Sequence, residues 1–251
     1  MIRRGKSLRL SVQMSESSDL ARLRKEFADR EKRLATSNIY SYSNRGNRFI
    51  IQQRHRAVLA LLRHQGVEAL RDLRILEIGC GRGEVLQEYI AYGATQRYLH
   101  GTELLADRVR TARARLPYLP LTCADGQNLP YAEGVFDMVL QYTVFTSILD
   151  DSIKANLARE MLRVLRKPEG LIVWYDFWLN PTNPQTRGIR PAEIRRLFPG
   201  CQFGFQRITL APPLTRKLIR CSRHLCYVLE KIRLLNTHYL VAIRAESKNN
   251  N

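Results

Sequence analysis

Glu77, Gly79, Gly81 and Gly83 stand on alternate positions and carry the first chemistry in this chain. Glycine leaves no Cβ in the way of a close backbone approach and tolerates positive φ. A carboxylate two residues ahead of the first glycine can accept hydrogen bonds or meet a cation. Ile75, Leu76 and Ile78 before the glycines read as a buried strand, and Val85, Leu86, Tyr89 and Ile90 after them are apolar at helical spacing. Strand, glycine turn and helix in that order aim backbone N–H groups and a helix N-terminus at a ligand. The spacing is not the dinucleotide fingerprint G-x-G-x-x-G, because Glu84 stands where its third glycine belongs.

A second acid, Glu103, ends the strand-like residues 97–103, about 20 residues past the glycines, where a carboxylate can accept both hydroxyls of a ribose. Tyr142 and Asp176 lie toward the carboxyl ends of two later strand-like runs, residues 135–145 and 171–178. They are the candidate groups for taking a proton from an acceptor. His55, His64, His100, His224 and His238 supply no placed base. Cys80, Cys123, Cys201, Cys221 and Cys226 are scattered and form no C-x-x-C pair, so neither a zinc site nor a disulfide framework is indicated. A reducing, cytoplasmic setting and no metal are the expectations.

The elements that must position these residues alternate. After the glycine motif come a strand ending at Glu103, a helix over 106–116, a strand into Asp125-Gly126, a fourth strand over 135–145 and a helix over 151–166. A fifth strand covers 171–178. Such alternation implies a parallel sheet with right-handed crossovers.

Taken in order, these motifs resemble class I S-adenosylmethionine (SAM)-dependent methyltransferases. The resemblance runs over about residues 70–180. It rests on E-x-G-x-G-x-G at 77–83, the acid Glu103, Asp125-Gly126 before Leu129-Pro130, Phe136-Asp137-Met138-Val139, and Lys167-Pro168-Glu169-Gly170. It implies a Rossmann-like α/β fold with a seven-stranded mixed sheet, last strand antiparallel, flanked by helices. It also implies SAM as cofactor, held by Glu77, Gly79, Cys80, Gly81, Gly83, Glu103, Leu104, Asp125, Gly126 and Gln141. Glu103 would take the ribose, and Asp125 with the N–H of Gly126 the adenine. Asp137, at the entry of the fourth strand, is a structural residue. Gln141-Tyr142-Thr143-Val144 departs from the Asn/Asp-Pro-Pro-Tyr/Phe signature of enzymes that methylate base amines, which counts against that chemistry.

Outside that core, residues 1–65 read as a basic tail and a helical extension, and 66–251 as the methyltransferase domain. Ser17-Ser18-Asp19 offers an N-cap to a helix with Leu20, Leu23, Phe27 and Leu34 on one face; a second helix covers 48–64. The linker between them places Tyr40 and Tyr42 as a lid on the acceptor or as a surface turn. Residues 180–191 are rich in proline and asparagine, and Arg187 in this loop is a candidate holder of an anionic acceptor. Residues 211–237 read as one long helix inserted between the last two strands. Leu214, Leu218, Cys221, Leu225, Val228, Leu229, Ile232 and Leu235 form its stripe, suited to the sheet, the acceptor site or a membrane surface.

The chain has 251 residues and a formal net charge of +18, with arginine supplying 33 of the 41 basic residues. That balance implies an acidic partner or a solvated basic surface; no run of 18 apolar residues marks a membrane span. The first reading is therefore methyl transfer to a small or medium-sized acceptor, an oxygen of a metabolite, sugar or lipid-linked glycan. RNA methylation is the alternative, and a non-catalytic SAM-binding interaction protein is the third reading.

Overall fold

A computed structural model describes residues 18–34, 37–180, 183 and 185–246. Its strands are β1 (Ile75–Ile78), β2 (Leu99–Glu103), β3 (Leu121–Cys123), β4 (Met138–Tyr142), β5 (Leu171–Phe177), β6 (Cys201–Leu210) and β7 (Asn236–Ala245). They make one sheet in the order β3-β2-β1-β4-β5-β7-β6. The first five strands pair in parallel, whereas β7 is antiparallel to both β5 and β6. The seven-stranded mixed sheet read from the motifs is the sheet observed.

Every residue of β1 and β4 is buried, because helices cover both faces; this is why both strands read as nearly continuous apolar runs. On one face α2 (Arg45–His64), α3 (Glu84–Ala91) and α4 (Ala106–Arg115) pack through Val58, Leu61, Leu86, Tyr89 and Ala112 against Ile75, Leu140, Val173 and Leu240. On the other, α1 (Ser18–Leu34), α5 (Asp151–Val164) and α6 (Pro191–Leu197) bring Leu23, Leu157, Met161 and Ile194 against Leu76, Val139, Trp174 and Val241. Caps fix where these helices begin. The Asn44 carboxamide accepts from Gly46 and Asn47 N–H at 3.0 and 3.1 Å, and Asp150 accepts from Ser152 N–H at 2.7 Å. Asp137 is structural as read: it accepts from Arg74 N–H at 2.8 Å and pairs with Arg166, joining the start of β1 to the end of α5.

Strand β1 connects onward to β2 on one side and lies beside β4 on the other, so the crevice at its carboxyl end is the topological switch point where open α/β sheets take ligands.

Two expectations change. The insertion 211–237 is not one helix. It breaks into α7 (Pro212–Leu218), α8 (Arg223–Glu230) and a 3-10 turn at Arg233–Leu235, with Ser222 Oγ capping α8 through Leu225 N–H at 3.2 Å. The break lets Leu214, Ile219, Cys226 and Leu229 turn inward onto Phe49 and Leu210, so the predicted stripe is divided. The second helix also starts three residues earlier than 48, at its Asn44 cap. The basic tail, Ser17 as N-cap, the Leu20 and Leu34 side chains, and residues 181, 182 and 184 of the loop lie outside what is described.

Candidate functional site

The glycine turn is held in a shape only glycine takes easily. Gly81 has φ +56°, and a Cβ there would face open space, the nearest atom being Glu84 Oε2 at 3.9 Å. At Gly79, φ +68°, a Cβ would lie 2.6 Å from Val144 Cγ2. Gly81 is thus the face of the turn left open, and Gly79 the point where the chain beyond β4 closes on it. Cys80 is buried, with burial pushing its thiol well up, which leaves it a small, neutral packing residue.

Three acids stand in or just past three neighbouring strands, β1, β2 and β3. Glu103, at the end of β2, accepts from Gly81 N–H and Leu105 N–H at 3.0 Å each, so its carboxylate ties the turn to β2 and to the loop at Leu104. Asp125, just past β3, accepts from the Gln127 backbone N–H at 2.9 Å and its side-chain amide at 3.1 Å. Gly126 beside it leaves room for Leu157, whose Cδ1 would lie 2.5 Å from a Cβ. Glu77, in β1, is buried, and its Oε2 has no hydrogen-bond partner. Burial, then the Glu88 and Glu84 carboxylates, holds the Glu77 carboxyl well above its usual range. Gln141, wholly buried in β4, accepts from Val144 N–H at 3.1 Å while its Nε2 is unpartnered. A buried acceptor and a buried donor without partners, beside an open backbone turn, are what a polar ligand would complete.

The two catalytic candidates do not meet. Tyr142 pairs in register with Tyr175 on the α2 face, while Asp176, the next residue, points to the opposite face. The Tyr142 hydroxyl lies 3.2 Å from that of Tyr89, and burial raises it well above its ordinary value, away from service as a base at neutral pH. Asp176 is pushed up to about 6 by burial. Its oxygens accept from Thr146 Oγ1 at 2.6 Å, Phe177 N–H at 2.9 Å and Thr146 N–H at 3.2 Å, which anchors the segment after β4.

Sequence reasoning missed α2's part. Arg54 reaches over the Tyr142 and Tyr175 rings, 5.5 Å to each centroid, and pairs with Glu88 of α3. Tyr175 bonds Thr209 at 2.8 Å through its hydroxyl and accepts from Thr143 N–H at 2.8 Å through its carbonyl. Thr143 and Thr209 have φ of +59° and +67°, left-handed backbone at non-glycine residues flanking the site. Arg54 carries no signal of its own, being one cation among many on a charged helix.

Arg187 pairs with Asp151 and lies 3.5 Å from Glu193, so its charge is already answered. Tyr40 and Tyr42 are exposed; the Tyr40 hydroxyl accepts from Arg30 at 3.1 Å, and Arg216 sits 6.0 Å over its ring. α1 packs on the segment that follows β4. Arg22 donates to Ser147 O at 2.7 Å, Leu23 is buried, and Arg108 at the start of α4 lies 4.1 Å over Phe27. Among the described residues no cluster of three or more His, Cys, Asp or Glu side chains suits a metal ion, and no helix is long and apolar enough to cross a membrane.

A family model described as "Methyltransferase domain" matches residues 75–170. A demethylmenaquinone methyltransferase of Streptomyces griseus subsp. griseus is 27% identical over 133 residues, 53% of this chain and 54% of that protein. The match therefore spans about half the length of that relative. Among solved structures, a SAM-dependent methyltransferase from Methanosarcina mazei superposes with a TM-score of 0.53 at 15% identity, over 70% of this chain and 94% of that one. Geranyl diphosphate C-methyltransferase from Streptomyces coelicolor A3(2), solved with Mg2+, geranyl diphosphate and S-adenosyl-L-homocysteine, gives 0.55 at 16% identity, over 76% and 77%. At such identities the structural likeness speaks to fold.

Proposed function

We propose that this chain, whose residues 75–170 match a methyltransferase-domain model, is a class I SAM-dependent methyltransferase that transfers a methyl group from SAM to a small or medium-sized acceptor. What supports this reading is the Glu103 carboxylate bonded to the open Gly81 turn, with Glu77 in β1 and Asp125 just past β3 on the neighbouring strands. The residues present fit the cofactor's chemistry. Glu103 keeps acceptor capacity for ribose hydroxyls beyond its two backbone bonds, and Asp125 can accept from an adenine amino group. Unpartnered Glu77 Oε2, on the α2 face of β1, suits the ammonium of an amino-acid tail.

Bound SAM supplies a methyl group already activated on a sulfonium. What the chain contributes is position. Glu103 fixes the glycine turn against β2, Val144 packs on Gly79, Asp176 anchors Thr146, and α1 is the element this reading assigns to the mouth. Alignment of an acceptor in such a frame lowers a barrier by several kcal/mol, up to ~10. Tyr142 is buried and the Asp176 oxygens are engaged, so this reading rests on alignment and assigns no catalytic base. An oxygen of a metabolite, sugar or lipid-linked glycan remains the first acceptor class. The net charge of +18 favours RNA as the second, which salt-dependent RNA binding would support.

Calorimetry with SAM tests the reading. Saturable binding is expected for the wild type. It is abolished in Gly81→Arg, which fills the open face at positive φ, and about 10–100-fold weaker in Glu103→Ala, which loses charge-assisted hydrogen bonds. A folded wild type that binds no SAM overturns it.

A further inference from the structure

The broken insertion leaves an apolar face that the core does not use. Leu225, Val228 and Ile232, at spacings of three and four, share one side of α8 and the turn after it, and are exposed by 41, 60 and 45%; Leu234 is exposed by 79%. Cys226 and Leu229, on the other side of the same helix, pack inward on Phe49 and Leu210. α8 is therefore anchored by one face and presents a second apolar face to water, which is costly for a surface without a partner.

The surroundings say which partner. Lys217, Arg220, Arg223, Lys231 and Arg233 are all exposed around this face, and among the described residues none of them pairs with a carboxylate. Residues 211–237 hold six bases and one acid, Glu230, and that acid is taken by Arg56 of α2 at 3.0 Å. Arg223 also lines, with Arg45, Arg48, Phe49, Gln52 and Ile219, a cleft of about 70 Å³ at the start of α2. That is too small for a metabolite site, which takes ~300–1,000 Å³, but adequate for one phosphate group. Arg223 donates only to neutral acceptors, Gln52 Oε1 at 3.0 Å and the Tyr227 hydroxyl at 2.9 Å. A nucleic acid would use the cations and leave the aliphatic face wet. A protein interface is ordinarily anchored by aromatic side chains, and the exposed face has none. Aliphatic residues ringed by unpaired bases match acyl chains beneath an anionic headgroup layer.

We propose that α8 and the turn after it dock on an anionic phospholipid bilayer. Leu225, Val228, Ile232 and Leu234 enter the interface, and Arg45, Arg48 and Arg223 take a headgroup phosphate. This goes beyond the methyl-transfer reading and does not depend on it.

Co-sedimentation of the full chain with vesicles tests it, using mixed phosphatidylcholine and phosphatidylglycerol beside phosphatidylcholine alone. Association with the anionic vesicles is expected, and it falls at high salt. It weakens at least about tenfold in Leu225→Gln/Val228→Gln/Ile232→Gln/Leu234→Gln and in Arg45→Gln/Arg48→Gln/Arg223→Gln. Circular dichroism and SAM calorimetry on the same preparations establish that the variants fold and keep their cofactor affinity, and so separate failure here from failure of the enzyme reading. The proposal is overturned if the wild type stays in the supernatant, if neutral vesicles bind it equally, or if folded variants bind as well as the wild type. It is also overturned if these variants abolish RNA binding or self-association while vesicle binding is absent.

Discussion

Glu77 and His238 show how far a single residue's environment departs from its type. Both are buried near Arg54, yet one retains an unpartnered acceptor and the other is packed among aromatic rings. The His238 ring stacks on Tyr175 at 4.7 Å and 7°, meets Phe177 at 3.9 Å, and its Nδ1 lies 3.1 Å from Thr237 Oγ1. Burial, then the Arg54 cation, lowers its pKa from 6.5 to about 3. The unfolded chain therefore takes up a proton below pH 6.5 that the folded chain refuses until about 3, and stability falls as pH drops through that window. The loss is on the order of a few kcal/mol. Urea unfolding of His238→Phe, which keeps the stacking and removes the proton site, should show a shallower fall over the same window. A parallel fall in both proteins would mean that the carboxylates alone govern it.

At the scale of elements, α1 packs on the segment that follows β4, and a lid role for it is open to test. It is held by the buried Leu23, by Phe27 under Arg108, and by Arg22, which donates to Ser147 O at 2.7 Å and to Gln185 O and Oε1 at 3.4 Å each. A buried Leu→Ala change costs about 2–5 kcal/mol. Leu23→Ala is therefore expected to release α1 with the sheet intact. Limited proteolysis should cut faster within residues 37–44, and stopped-flow should show faster SAM dissociation. If both rates stay at wild-type values, α1 is no lid. The insertion carries the same lesson from the other side. Its apolar spacing specified helix, but Ser222 and the inward packing of Cys226 and Leu229 divided it.

For the whole molecule, a ligand that binds only the folded state must stabilise it. With SAM at about 100 times its dissociation constant the gain is about 2.7 kcal/mol, a rise of roughly 5–10 °C in Tm for a chain of this size. Thermal melts of the wild type should show that rise, and Gly81→Arg should show none. An equal rise in both would place SAM elsewhere. The charge of +18 acts at this scale too, since unpaired cations concentrate around α7 and α8 while Arg187, Arg54 and Arg166 are answered by acids.

The strands of the sheet, its glycine turn and the acids at its strand ends could be read from the sequence, because these are local matters. A buried strand needs an apolar run, a positive φ needs glycine, and Glu77, Glu103 and Asp125 each sit beside the turn or strand end they serve. The face each side chain occupies was not local. Tyr142 and Asp176 both lie near strand ends, yet register and pleat set them on opposite sides of the sheet. Arg54 comes from a helix 88 positions before Tyr142, and only tertiary packing brings its guanidinium over that ring. The exposed stripe of α8 was likewise decided by packing, since a periodic pattern marks which residues share a face but not what will cover it.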